Sequence, residues 1–416
     1  MMLATRRGRV TAALENAVLA TLPNARVGET VRIKPPQGAI AATVTRVERD
    51  LVALSTHVAQ AGIGIGDEVE SDPLGGTLPL GMRLLGRAIS ASGEPLDGRG
   101  EILGRRAPVL DAPISAADRA PIERPFWTGI RAIDGLITIG RGARIGLFGG
   151  PATGKSLLIE MLVRGANADA IVVGLIGERG REAAAWMQRI APHATIVCAP
   201  SDRPPAERVR AAHVAMAQGA QLRRRGLNVL VVIDSIARFA AAAREIATRN
   251  GESVGRGGYP PSVFAELGRL LERGGNVHGG SVTVVGTVLC DGPDDREPMA
   301  DAARAVLDGH IVLCHKRARA GLFPAIEVVG SASRTMDSVT SPEHRRAAGT
   351  IRRALAQLET TRELRELGFV QPDPELERAV ALQEHLETLI HHGTRTFGAA
   401  ETVADVCALA ARLRAS

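Results

Sequence analysis

The chain has 416 residues, more than one domain usually holds, so two or three domains are expected. Apolar residues make up 45% and charged residues 23%, which excludes a mostly disordered chain. The net charge of +6 is modest for this length and permits contact with nucleic acid or an anionic membrane without requiring either.

The opening Met-Met-Leu-Ala-Thr-Arg-Arg-Gly lacks the apolar core and cleavage site of a secretory signal. Residues 10–22 place apolar side chains at Val10, Ala13, Leu14, Val18, Leu19 and Leu22, a spacing that predicts a helix. Such a helix, within an N-terminal arm of residues 1–24, would dock on its own domain or serve as a partner-binding arm. Residues 25–90 carry short β-branched runs (Val31–Ile33, Ala42–Val47, Leu51–Leu54) separated by Gly, Pro and Asp, which predicts a small β-barrel. This segment has no Phe, Trp or Tyr, so it offers no stacking platform for single-stranded nucleic acid. Residues 91–125, rich in Pro and Gly, read as a covering loop or linker.

From about 130 to 335, near-continuous apolar runs alternate with helical stretches: ARIGLFGG, AIVVGLIG, ATIVCAP, NVLVVID, SVTVVGTVL and HIVLC. Strands buried on both faces have this character, so a mostly parallel sheet wrapped by helices is expected over 91–344. Residues 345–416 space Leu, Arg, Glu and Ala as helices do and are expected to form a small helical domain. No run of about 18 apolar residues occurs, so no transmembrane helix is expected. Four cysteines are scattered without a C-x-x-C pair, which suits reduced, buried thiols in a cytosolic protein.

Gly149-Gly150-Pro151-Ala152-Thr153-Gly154-Lys155-Ser156 satisfies G-x-x-x-x-G-K-[ST] between an apolar strand and an apolar helix. In that setting backbone amides point at the β- and γ-phosphates of a nucleotide, Lys155 neutralises phosphate charge, and the Ser156 hydroxyl ligates Mg²⁺. Pro151 has no N–H to donate, so the donors must come from the residues after it. Asp234 ends the run VLVVID; a carboxylate there can hold the Mg²⁺ shell or cap the next helix, and its pairing with the phosphate loop favours the metal. Glu178 follows IVVGLIG at what would be the same sheet edge and could orient a water, although its charged run reads equally well as solvated surface.

These segments together resemble the type III export ATPases, those of injectisomes and of flagella, which are similar to the catalytic β subunit of rotary ATP synthases. The resemblance rests on residues 128–150, 174–182, 229–247, 258–276, 300–313 and 323–336, with 86–100 similar to the junction between barrel and core. It implies an α/β P-loop NTPase core with a mostly parallel sheet, an N-terminal β-barrel and a C-terminal helical domain. It also implies an ATPase that energises protein export, working as a homo-oligomeric, commonly hexameric, ring with ATP or ADP and Mg²⁺ at subunit interfaces. Stator, stalk and gate proteins, chaperones and export substrates are the implied partners, at the cytoplasmic face of the inner membrane.

By position, Glu178 resembles the general base, Arg179 an arginine near the γ-phosphate, Glu182 an acid of the Mg²⁺–water shell, and Arg334 the arginine finger acting on a neighbouring subunit. Leu157, Phe323 and Phe369 complete the implied nucleotide contacts. Four positions depart from the family's usual residues. Ala152 stands where Gly is frequent, Phe323 and Phe369 where Tyr is frequent, and Gly268 where Pro is frequent. Ala152 would be strained if that position needs a positive φ. Within the family the reading leans to an injectisome ATPase, with the flagellar counterpart as the alternative. A rotary-synthase catalytic subunit and a termination-factor-like RNA helicase stand further off. A non-catalytic nucleotide-binding subunit is disfavoured by the retained Glu178.

Overall fold

The computed structural model describes residues 5–14, 17–49, 51–56, 62–72, 74–111, 114–190, 193–290, 298–367 and 373–415. Among the described residues, six strands open the chain: β1 (Arg7–Leu14), β2 (Ala17–Thr21), β3 (Thr30–Lys34), β4 (Ile40–Glu48), β5 (Leu51–Thr56) and β6 (Glu68–Ser71). They close into a barrel in the order β1-β2-β5-β4-β3-β6, with β1 and β6 antiparallel at the seam. Val31, Ile33, Val44, Val52, Leu54 and Val69 point inward and fill it. β2, β4 and β6 bury alternate residues, as a sheet with one face in solvent requires.

The helix expected over residues 10–22 is instead the hairpin pair β1 and β2. Val18, Ala20 and Leu22 are buried while Leu19 and Thr21 are only half-buried, and Ala13 and Leu14 are exposed. The period is therefore two. An alanine-rich stretch fits either period, and pairing of β1 with β6 and of β2 with β5 decides for strand. The barrel accordingly starts at Arg7, within the stretch expected to be an arm.

Next come β7 (Thr77–Leu78), β8 (Ala88–Ser90) and β9 (Ala107–Pro108), with β7 paired to β9. Helices and strands then alternate through α1 (Arg131–Leu136), β10 (Arg144–Gly149), α2 (Lys155–Gly165), β11 (Ala170–Ile176), α3 (Gly180–Ile190), β12 (Thr195–Ala199), α4 (Pro205–Arg223) and β13 (Asn228–Asp234). The alternation continues with α5 (Ile236–Arg249), α6 (Pro261–Leu271), β14 (Gly275–Val277), β15 (Gly280–Leu289), α7 (Pro298–Val306), β16 (Gly309–Leu313), α8 (His315–Arg319) and β17 (Ile326–Ser333). Among the described residues, six helices close the chain: α9 (Met336–Val339), α10 (Pro342–Thr360), α11 (Arg362–Glu366), α12 (Pro374–Ala381), α13 (Gln383–Ile390) and α14 (Ala399–Arg414).

Two compact units share these elements. One comprises residues 1–113, 172–225 and 233–273; the other comprises 114–171, 226–232 and 274–416. In the first, β12 lies parallel to both β11 and β8, and every residue of β11 and β12 is buried. The Gln218 amide of α4 bonds both backbone groups of Gly81, at 2.7 and 2.9 Å.

In the second unit, β10 runs parallel between β15 and β16, with Phe148 opposite Val288 on one side and Val312 on the other. β17 adds to β16 antiparallel. Its alternating burial, unlike the continuous apolar runs, marks a strand with one open face, and for that reason it was not legible as part of a buried sheet.

The helical segment of this second unit packs on α1. Arg131 pairs with Asp405 of α14, and His344 of α10 bonds the Gly135 carbonyl at 2.8 Å. Asp134, wholly buried, accepts hydrogen bonds from the Thr128 amide (2.8 Å), the Thr128 hydroxyl (2.7 Å) and the Gly129 amide (2.8 Å). It thereby fixes the loop that leads into α1. Asp134→Ala would leave three buried donors unmatched, so a loss of about 3 kcal/mol or more is expected as a lower denaturant midpoint at unchanged m-value.

Candidate active site

β10 delivers the chain to the phosphate loop and α2 carries it away. Gly154, at φ 86°, caps α2 from the left-handed region, which a residue with a side chain adopts only under strain. The amides of the first turn have no acceptor within the helix, and they form the cradle that an anion fills. Thr153 Oγ1 donates to the Gly150 carbonyl at 2.8 Å and braces the loop from within. Lys155 Nζ donates to the carbonyls of Gly149 and Gly150, both at 2.7 Å, so its ammonium lies folded over the loop. Ser156 is exposed at the second position of α2. Ala152 does take a positive φ, 60°. Steric crowding of its Cβ costs about 1 kcal/mol, so the departure from glycine carries the strain expected of it.

Phe323 reaches this loop. A Cβ placed on Gly154 would lie 2.9 Å from the Phe323 ring, so the ring rests directly over the glycine. Phe369 lies outside the described residues.

The carboxylates gather at the ends of β11 and β13 within the first unit. Glu178 is only 8% exposed and Asp234 only 7%, so neither is surface charge. Burial pushes the Glu178 carboxyl up to about 7; the neighbouring charges of Asp234 and Glu182 act in the same direction, and Arg238 opposes them. The cap of α5 is Ser235, whose Oγ accepts from the Arg238 amide at 3.2 Å, so helix capping does not account for Asp234. Arg179 and Glu182 differ from this pair: their side chains are 82% and 51% exposed and stand 3.7 Å apart.

Arg238 was missed in the sequence. Its Nη1 lies 3.2 Å from Glu178 Oε1 and also donates to the Gly177 carbonyl. Only its place one helical turn beyond Asp234, on the helix that follows, could have signalled it.

Arg334 follows the last residue of β17, and its side chain is exposed. Its amide donates to the Asp308 carbonyl at 2.9 Å. The Asp308 carboxylate in turn holds the Arg144 amide at 2.8 Å and its guanidinium at 3.0 and 3.2 Å. The backbone is thus anchored on β10 while the side chain projects outward. Among the described residues, no ion pair holds the Arg334 guanidinium.

A hydroxyl (Ser156) and carboxylates (Asp234, Glu182) are hard oxygen donors of the kind Mg²⁺ takes. Among the described residues no group of three or more His, Cys, Asp or Glu forms a self-contained metal cage.

Comparison with known proteins places the chain in a family. Residues 129–333 match the family model "ATP synthase alpha/beta family, nucleotide-binding domain". The chain is 44% identical over 331 residues to the flagellum-specific ATP synthase of Pseudomonas aeruginosa, covering 77% of this chain and 73% of that protein. It is 41% identical over 385 residues to the type 3 secretion system ATPase of Sinorhizobium fredii, covering 90% and 85%. Among solved structures, the assembled ATPase EscN from the enteropathogenic E. coli type III secretion system superimposes with a TM-score of 0.90 at 35% identity, over 97% of this chain and 100% of that one. The chain therefore belongs to the family of type III secretion and flagellum-specific export ATPases, within the ATP synthase alpha/beta family.

Proposed function

We propose that this protein hydrolyses ATP to energise protein export through a type III secretion apparatus, releasing chaperones and unfolding substrates. The observation that carries the catalytic reading is the buried Glu178 carboxylate with Asp234 beside it, which a subunit that only binds nucleotide has no use for. In this reading residues 149–157 bind the phosphates and Phe323 the adenine. Ser156, Asp234 and Glu182 would hold Mg²⁺ and its waters, which would supply charge neutralisation at the phosphates. Glu178 takes a proton from the attacking water, Lys155 and Arg179 stabilise charge on the γ-phosphate, and Arg334 completes the site of the next copy in a homomeric, hexameric ring.

A relative's structure pairs assembled EscN with a central stalk, EscO. By analogy the ring proposed here would turn against a stalk of its own, beside stator and gate proteins. Residues 91–344 would be the catalytic domain and 345–416 a helical domain facing partners. Among the described residues no helix is long and apolar enough to cross a membrane, so we place the ring peripherally, at the cytoplasmic face of the inner membrane. Relatives named for flagella match as well as those named for secretion, and the flagellar apparatus is the second reading.

Chelation tests the metal. Phosphate release by the purified chain should fall to background in excess EDTA and return on adding Mg²⁺ beyond the chelator; turnover that survives chelation would overturn the Mg²⁺ assignment. Deleting the gene should stop protein secretion and leave swimming intact. Loss of swimming with normal secretion would assign the flagellar reading instead.

A further inference from the structure

The loop between α13 and α14 is hydrogen-bonded to the turn that carries Phe323. His391 Nδ1 lies 3.0 Å from the Pro324 carbonyl, and a carbonyl can only accept, so the proton is on Nδ1. Nε2 is then left to accept, and Arg317 Nη1 of α8 donates to it at 2.9 Å. Two residues on, the Gly393 amide donates to the Phe323 carbonyl at 2.8 Å. Gly393 takes φ 65°, the left-handed conformation that turns the chain there. Both carbonyls of the Phe323–Pro324 turn are thus held by one short segment, and the imidazole between them and α8 is itself locked. Burial lowers the pKa of His391, which keeps the ring neutral and its donor and acceptor sides fixed near pH 7.

We propose that His391 is a positioning residue for nucleotide binding: it fixes the turn that sets the Phe323 ring over Gly154, so that the surface an adenine stacks on exists before the nucleotide arrives. The inference rests on the reading of the phosphate loop as an ATP site with Phe323 as its base platform. Without the His391 tie, binding would have to order the turn, and that cost would come out of the affinity. The phosphate cradle, built on β10 and α2, does not depend on the tie. The expected signature is therefore selective for ligands that carry a base.

Titration calorimetry with Mg²⁺ and two ligands reads this directly: a non-hydrolysable ATP analogue and inorganic tripolyphosphate. His391→Ala should weaken the analogue about five- to tenfold, a part of what aromatic stacking on a base contributes, and leave tripolyphosphate within about twofold. His391→Asn, whose side-chain amide can still donate to the Pro324 carbonyl, should recover most of the loss. Phe323→Ala should show the same selectivity as His391→Ala. Should His391→Ala fail to fold, Arg317→Met frees the ring from α8 and should give a smaller loss with the same selectivity.

Equal weakening of both ligands would mean general damage and overturn the proposal. An unchanged affinity for the analogue in His391→Ala, with a clear loss in Phe323→Ala, would overturn it while leaving the base platform standing. If Phe323→Ala also binds the analogue normally, the base-platform reading fails and the proposal fails with it.

Discussion

Replacing Glu178 with glutamine is expected to lower ATP turnover by about 10²–10⁴-fold, the usual contribution of a positioned general base, while ATP still binds. Lys155→Ala should also abolish turnover, but by weakening the grip on phosphate, so equilibrium binding separates the two. Glu178→Gln should also make the protein more stable in alkaline solution. In the folded chain burial lifts this carboxyl from its ordinary value of 4.5 to about 7. Between those values the native state holds a proton that the unfolded chain has released, so stability falls as pH rises through that window. Above it the wild type carries a buried charge that glutamine lacks. Glu178→Gln should therefore gain at most about 3 kcal/mol over wild type at pH 8, and nothing at pH 4. Denaturation at the two pH values measures this.

The rate should carry the complementary signature. A base must be ionised, so kcat/KM of the wild type should fall about tenfold per pH unit below roughly 7. A group evolved for stability alone would not be buried beside another carboxylate, so a gain in stability joined to a loss of rate marks a catalytic role. Normal turnover by Glu178→Gln would refute the base. Unchanged stability at pH 8 would refute the electrostatic account of its environment.

What could be read in the sequence follows from how local each feature is. The phosphate loop binds through consecutive amides, so eight adjacent residues suffice to announce it. The core strands β10 to β13, β15 and β16 are buried on both faces, and unbroken apolar runs reveal them. β1 and β2 read as a helix because alanine satisfies both helical and strand periods, and only pairing with β6 and β5 distinguishes them. Arg238 and His391 could not be read in the same way. Arg238 meets the carbonyl of a residue 61 positions away, and His391 meets one 67 positions away. No local pattern encodes such contacts. Glu178 stood between: its charged neighbours made it look like surface, and burial of this one carboxylate among exposed Arg179 and Glu182 separates it from them.

The test of assembly lies in Arg334. Arg334→Ala is expected to reduce turnover by about 10³–10⁵-fold, the range seen where an arginine finger has been removed, without changing the affinity of the isolated subunit for nucleotide. The reason is geometric. Its backbone is pinned through Asp308 to Arg144, so the side chain starts from a rigid point, and the guanidinium projects outward with no carboxylate partner among the described residues. A cation so held is available to a second copy. If it serves a neighbour's phosphate, two inactive variants should complement one another. Lys155→Ala copies keep the finger and lack the cradle, while Arg334→Ala copies keep the cradle and lack the finger. At a site where the cradle comes from one and the finger from the other, nothing is missing. Random mixing in equal amounts places about a quarter of the sites in that arrangement, so about a quarter of wild-type turnover should return. Recovery should depend on total protein concentration, as the assembly does. If the mixture stays inactive although both variants enter the same rings, Arg334 acts on its own subunit's nucleotide or not at all, and the shared site is wrong.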